Sequence, residues 1–481
     1  MAKTIKSLKL NSKWILFAGL AFAGLNALMV ALEFFYLPLL PIALAIVFLA
    51  LFSLDKLVIL IVFLTPLSIN LTDVGEGVGM SLPTDPLMFG VLLVLFLKIL
   101  LERKFDSKVS NHPITLAIMM NLIWLILTSF TSELPIVSFK FVLSRLWFLA
   151  TFYFVATQIF KNPDKIKTYI WAYILGFTCV IVYTIVHHGM YGFEEQPAHW
   201  VMDPFYNDHT SYGAALAFFF PLLIGFGISS TYTRTIKIGI WSLIVLFSIA
   251  LVLSYTRAAW VSLIAALGVF ILLKMQIKFS TVAMMSIGLV IAFFSLQETL
   301  VQKLEKNRQD SSAELGKHVQ SISNISTDAS NLERLNRWAS AFRLFEARPF
   351  VGWGPGTYAF VYAPFQHSHE KTNISTNAGD KGNAHSEYIG PLAETGIFGS
   401  LSFIIIVICI CYYSVSLYGK IPPGEHRTIL LCMFLGLVTY MIHGMLNNFL
   451  DTDKASAPFW GFTAAVVALD IYYRKKELKM K

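Results

Sequence analysis

Charge is scarce in this chain. Asp, Glu, Lys and Arg make up 14% of its 481 residues and hydrophobic residues 56%, whereas a typical soluble domain is about 25% charged. A solvated globular surface cannot be built at that ratio, so the expected class is an integral membrane protein. Cysteine is scarce too. Cys179, Cys409, Cys411 and Cys432 all fall in apolar runs, without a pairing pattern or zinc-ligand spacing, which argues against a disulfide framework or a structural zinc. No repeat of about 20–50 residues is visible, which argues against a solenoid. The formal charge of +8 is spread over short loops rather than gathered in a patch, so nucleic acid is not an expected partner.

Apolar runs fill the space that charge leaves. About fourteen runs have the length that a bilayer core demands, centred near residues 23, 43, 64, 93, 122, 150, 178, 220, 245, 265, 288, 407, 437 and 464. The weakest are those near 64 and 288. The fold class expected is therefore an all-α integral membrane protein with about fourteen transmembrane helices. The first run, Trp14 to Leu32, follows Lys3, Lys6, Lys9 and Lys13. No small-residue cleavage site follows it, so it reads as a retained first helix.

Loop charge sets the orientation. With the N-terminus inside, the inner loops hold Glu102-Arg103-Lys104 to Lys108, Lys161 to Lys167, Arg234 to Lys237, Lys274 to Lys278, Lys420 to Arg427 and the tail Arg474-Lys475-Lys476. The outer loops hold Thr72 to Asp85, Thr131 to Lys140, His188 to Thr210, Ser254 to Arg257 and Asn447 to Lys454. The first and last outer loops carry more acid than base. The positive-inside rule then predicts both termini in the cytoplasm. Between spans eleven and twelve lies a polar segment, and the domain reading is 1–296 an N-terminal bundle, 297–396 an outward catalytic segment, and 397–481 a C-terminal group of helices. Ser330 and Glu333 match a capping box, and Leu332, Leu335, Ala339, Phe342 and Phe345 then recur at helical spacing up to Pro349. A second short helix is expected after Asn383, with His385 in its first turn and Gly390-Pro391 bending it.

Several residues have the chemistry to handle an anionic substrate carried in the membrane. Arg257, in Ser254-Tyr255-Thr256-Arg257, is either an interfacial cation snorkelling beside Trp260 or a fork aimed at a phosphate. Arg334 and Arg337 lie on one amphipathic helix with Trp338, and read either as a solvated face or as a second anion contact. Arg145, within an apolar run, is a buried structural cation, a snorkel, or a further contact. Gly352, Gly354 and Gly356 form a tight turn whose N–H groups could meet an anion, or a turn that only packs. His385 can accept a proton from an attacking hydroxyl, or bond its own backbone. His367, His369 and Glu370 lack a third metal ligand at defined spacing. His187, His188, His199, Asp203, Asp208 and His209 read as loop chemistry or acceptor contacts.

The order of these pieces resembles the O-antigen ligase and polymerase superfamily. The resemblance rests on Asn207 and its following run to Pro221, Thr256-Arg257, Arg334-x-x-x-Trp338, Pro349-x-x-Gly352-x-Gly354-x-Gly356, Ala384-His385-x-x-Tyr388 and Glu394-x-Gly396. It implies a bacterial inner-membrane glycosyltransferase with its active site facing the periplasm. The donor would be a glycan on undecaprenyl pyrophosphate, transferred with inversion and without metal or cofactor. By that resemblance, Arg257 and Arg334 bind the pyrophosphate and stabilise the leaving group, and His385 activates the acceptor. Arg337, Trp338, Gly352, Gly354, Gly356, Tyr388, Asn207 and Arg145 would line the donor or acceptor site.

The best single reading is an O-antigen ligase with a lipid A core acceptor. A surface-polysaccharide polymerase and a protein O-oligosaccharyltransferase remain open. A polytopic transporter or flippase would call for charge buried in mid-span and for internal repeats, and the chain shows little of either.

Overall fold

The computed structural model describes residues 12–33, 36–71, 80–102, 105–276, 281, 284, 288, 329–370 and 382–473. Most of the span expected near residue 288, most of the stretch Gln297 to Ser330 and the basic tail lie outside the described residues. The chain divides into two compact units, Met1–Leu57 and Val58–Lys481. The first holds two apolar helices, α1 (Ser12–Ala31) and α2 (Leu39–Phe52). A third, α3 (Leu54–Leu64), crosses the division.

The second unit is helical apart from one antiparallel hairpin, β1 (Ile69–Leu71) with β2 (Met80–Leu82), in which Asn70 faces Ser81. Its helices are α4 (Thr84–Glu102), α5 (Pro113–Phe130), α6 (Pro135–Phe148), α7 (Asp164–Gly189), α8 (His209–Ile228), α9 (Arg234–Leu253), α10 (Arg257–Lys274), α11 (Ala329–Ala347), α12 (Gly390–Lys420), α13 (Glu425–His443) and α14 (Asp453–Ala468). Among the described residues, ten helices are long and apolar enough to cross a membrane. They correspond to the runs centred near 93, 122, 150, 178, 220, 245, 265, 407, 437 and 464. The run near 64 yields only the eleven residues of α3, too few to span a bilayer core. This is an all-α integral membrane protein.

Helix packing here relies on close contact and on polar groups meeting across helices, because lipid removes the usual hydrophobic drive. α14 shows how. Pro458 has no N–H, so the Lys454 carbonyl one turn earlier loses its intrahelical donor. The Tyr173 hydroxyl of α7 donates to that carbonyl at 2.8 Å, and the Tyr169 hydroxyl donates to the Ala457 carbonyl at 2.7 Å. A sequence irregularity in one helix thereby fixes the register of another.

Two expectations for the polar segment change. Helix α11 already includes Ser330, and Glu333 pairs with Arg337 instead of closing a capping box. Residues 384–389 form a turn, not a helix, and His385 sits there at φ +49°. Gly390-Pro391 opens α12 rather than bending it, since a proline in the first turn gives up an N–H that has no helical partner there. The interruption falls at Gly396, at φ +68°.

Candidate active site

Arg257 opens α10, and the turn before it is tightly set. Tyr255 takes φ +50°. Thr256, just before the helix, donates through Oγ1 to the His209 carbonyl at 2.8 Å. This locks the start of α10 onto the start of α8. Gly213 permits that approach, since a Cβ there would lie 2.6 Å from Thr256. The ring of His443, at the end of α13, sits against the Ala258 backbone, and its Nε2 lies 3.1 Å from Asn447 Nδ2.

The two arginines of α11 have different surroundings. Arg337 is 2% exposed; its Nε donates to Glu333 at 2.6 Å and its guanidinium lies 4.1 Å over the Tyr362 ring. Tyr358 donates to its carbonyl at 2.7 Å. Arg334 is only partly buried, and its Nε donates to the Leu446 carbonyl at 3.1 Å, just past α13. Arg334 also acts electrostatically on His385, His209 and His443. Trp338 packs partly buried beside them, with its indole N–H enclosed.

His385 is held by the Asn383 side chain, which accepts its backbone N–H at 3.0 Å. Its imidazole is pushed down from 6.5 to about 4, first by loss of solvent and then by Arg334 and Arg337, with Asp208 and Glu333 opposing. It is therefore neutral at neutral pH and able to accept a proton. Two residues on, Glu387 fixes the loop between α13 and α14. Its Oε1 accepts from the Tyr440 hydroxyl at 2.6 Å and from the Phe449 and Leu450 N–H groups at 2.8 and 2.9 Å. Burial raises its carboxyl above the usual range, and Asp451 is pushed up to about 6 by desolvation and then by Glu387. Tyr388 donates to the Met441 carbonyl at 3.0 Å, tying the same turn to α13.

The glycine turn is a docking element. Gly352, Gly354 and Gly356 all have φ between +65° and +116°, a region open to glycine. Their N–H groups are directed into the protein: Gly352 to the Arg348 carbonyl at 3.1 Å, Gly354 to the Glu394 carbonyl at 2.7 Å, and Gly356 to the Glu394 carboxylate, which also takes the Tyr358 N–H at 3.1 Å. A Cβ on Gly354 would fall 1.9 Å from Ser132 Oγ. The turn thus clamps the start of α12 against the α5–α6 connection, and the N–H groups an anion would need are engaged.

A family model described as O-antigen ligase matches residues 242–404. The match supports the O-antigen ligase superfamily. No curated protein matches the chain. The matched stretch contains Arg257, Arg334, the glycine turn, His385 and Tyr388, and leaves out Arg145 and Asn207. With the ten long apolar helices, it supports a multi-pass bacterial membrane protein and a ligase- or polymerase-type membrane glycosyltransferase.

The structure gathers the loops read as outward-facing. Ser132 meets Trp353, Thr256 meets His209, Arg334 meets Leu446, and Asn70 meets Asn207. Two cavities open there. One, of about 300 Å³, is lined by Arg145, whose guanidinium carbon lies 5.5 Å from the Phe141 ring centre, together with Lys140, Glu387, Glu394 and Asp451. The other, of about 200 Å³, is lined by Asn207 and Asp208. Among the described residues no cluster of His, Cys, Asp and Glu forms a metal site, and the Glu370 carboxylate pairs with Arg343. Sequence reading missed His443, Glu387 and Asp451. For His443 and Asp451 the signal available was His443, Asn447, Asn448 and Asp451 following directly on an apolar span.

Proposed function

We propose that this protein transfers a glycan from a polyprenyl pyrophosphate carrier, best matched by undecaprenyl pyrophosphate, to an acceptor hydroxyl at the periplasmic face of the inner membrane. A lipid A core acceptor, and hence an O-antigen ligase, is the preferred form. Both termini would face the cytoplasm. The observation that carries this reading is Arg334 acting on a buried, neutral His385, with Arg257 opening α10 where its neighbour Thr256 bonds His209.

The acceptor oxygen attacks the anomeric carbon opposite the leaving group, which inverts that centre. The bond from that carbon to the phosphate oxygen breaks, and its electron pair leaves with the pyrophosphate. Arg257 and Arg334 stabilise that charge through forked, permanently charged donors. The acceptor proton passes to the imidazole of His385. Burial first, and then Arg334 and Arg337, make His385 a weak base. A bound pyrophosphate offsets their charge and raises its basicity when it is needed. No step calls on a metal.

The test is transfer from purified carrier-linked glycan to lipid A core by the purified protein. A deletion strain separates the neighbouring activities: loss of all attached glycan supports a ligase, and retention of a single repeat supports a polymerase. Labelling of Ser312→Cys in cells whose inner membrane is intact tests the orientation. Labelling only after that membrane is permeabilised would reverse it.

A further inference from the structure

The smaller cavity has a wall chemistry that the transfer step leaves unused. Asn70, Asn207, Asn383 and Asn448 line it, beside the aromatic rings of Tyr206 and Phe218. Carboxamides both donate and accept, which suits neighbouring hydroxyl groups on a sugar ring. Asn448 Oδ1 is buried without a hydrogen-bond partner among the described residues. A buried acceptor left unsatisfied is costly, and a ligand hydroxyl would satisfy it.

The wall is also built rigidly. Asn70 Nδ2 donates to Asn207 Oδ1 at 2.7 Å, and Ser81 Oγ donates to Asn70 Oδ1 at 2.7 Å, so both strands of the hairpin hold it. The hairpin is moored to the start of α14. Asp453 Oδ2 accepts from Ser68 Oγ at 2.7 Å and from Thr84 Oγ1 at 2.6 Å, while Lys454 Nζ donates to Ser68 Oγ at 2.7 Å and to Asp453 Oδ1 at 3.3 Å. The side chains of Asp453 and Lys454 are 0% and 5% exposed. Burying an ion pair so completely is a poor source of stability; here it fixes where Asn70 stands.

We propose that this cavity is a sugar subsite, in which Asn70, Asn207 and Asn448 bind hydroxyls of one glycosyl residue and the Asp453–Lys454 pair positions the hairpin wall. The assignment to a transfer reaction rests on the function proposed above. At about 200 Å³ the cavity takes a single ring rather than a chain. Asp208 also lines it and acts electrostatically on His385, which places the subsite beside the transfer centre. The ring belongs either to the donor glycan or to the acceptor glycan, and both offer the same hydroxyl chemistry.

The first arm needs no catalysis. Oligosaccharide released by mild acid from the host's surface polysaccharide is added to the full-length protein in nanodiscs, and contact is read by saturation-transfer NMR. Contact is expected with the wild type and is expected to vanish in Asn448→Ala and in Ala215→Trp, which fills the cavity. No contact with the wild type, or contact unchanged in both variants, overturns the subsite. The second arm is kinetic. Asn70→Ala should raise one KM by about tenfold, the scale of one or two lost hydrogen bonds, with kcat little changed. The substrate whose KM moves, donor or acceptor, owns the ring. Thr84→Val should raise the same KM and Thr84→Ser should restore it, which a merely structural role would not do. A fall in kcat with both KM values unmoved overturns the proposal. Should the wild type bind oligosaccharide through Asn448 yet neither bind undecaprenyl pyrophosphate nor transfer glycan, the subsite stands and the proposed reaction falls.

Discussion

Two pairs at each end of the helical bundle use charge differently. At the end away from the site, Lys161 meets Asp106 at 3.3 Å and Lys167 meets Glu425 at 3.1 Å, with every partner substantially in contact with solvent. At the site end, the side chains of Arg337 and Glu333 are 3% and 2% exposed, and Asp453 and Lys454 are nearly as enclosed. Exposed pairs contribute little to stability, and their place in short loops serves topology. Enclosed charge is expensive and is tolerated where it holds other groups in place. Neither end is uniform: the Arg348–Glu133 pair beside the glycine turn is exposed, and the His112–Asp470 contact at the far end is enclosed.

The largest expected effect comes from breaking an enclosed pair. Arg337→Ala removes the buried cation whose Nε bonds Glu333 at 2.6 Å, and should destabilise the α11 packing by about 3–5 kcal/mol, read as early thermal inactivation. Arg334→Ala should leave thermal stability close to normal. Equal thermal behaviour of the two variants would erase the distinction drawn between them.

The next effect is on chemistry. Arg257→Ala, Arg334→Ala and His385→Ala should each lower transfer by roughly 10²–10³, or about 2–4 kcal/mol of barrier, at unchanged protein level. Lysine should substitute poorly at either arginine, because a point charge lacks the fork. His385→Ala should still bind the donor. Near-normal transfer by any of these variants removes that residue from the site.

Acid pH sharpens the comparison more gently. His385 takes up its proton near pH 4 when folded, whereas an ordinary solvated imidazole does so near 6.5. The unfolded chain therefore binds the proton first, so stability falls as pH drops from about 6.5 towards 4. His385→Asn should flatten that part of a stability–pH curve. The acid limb of kcat/KM should lie below that of kcat, since bound pyrophosphate raises the histidine's basicity. Coincident limbs would argue against charge compensation by the donor.

The smallest effect belongs to the far end. Lys167→Ala should cost less than about 1 kcal/mol and leave transfer unchanged. A large loss of folded protein would show that the far end is more than a topological marker.

Much of this was readable along the chain. A long apolar run can satisfy its backbone only as a helix in lipid, so run length and helix coincide for α4 to α10 and α12 to α14. The ordered positions of Arg257, Arg334 and His385 also stood in the sequence, as did the alternation of loops that proves to gather at one end. Local rules failed in the polar segment. Helix α11 already includes Ser330, and the stretch after Asn383 became a turn.

Sequence by itself determined the class, the helices and which cations and histidine could do chemistry, because hydrophobic run length and side-chain type are local properties. Tertiary structure decided what each candidate does. Arg334 reaches a carbonyl 112 residues away, while Arg337, three positions on, pairs within its own helix. Ser68 finds Asp453 across 385 residues. The glycine turn spends its N–H groups on α12, and Glu387 and His443 enter the site unannounced by any motif. Burial and long-range hydrogen bonding set these roles, and neither leaves a trace in the spacing of neighbouring residues.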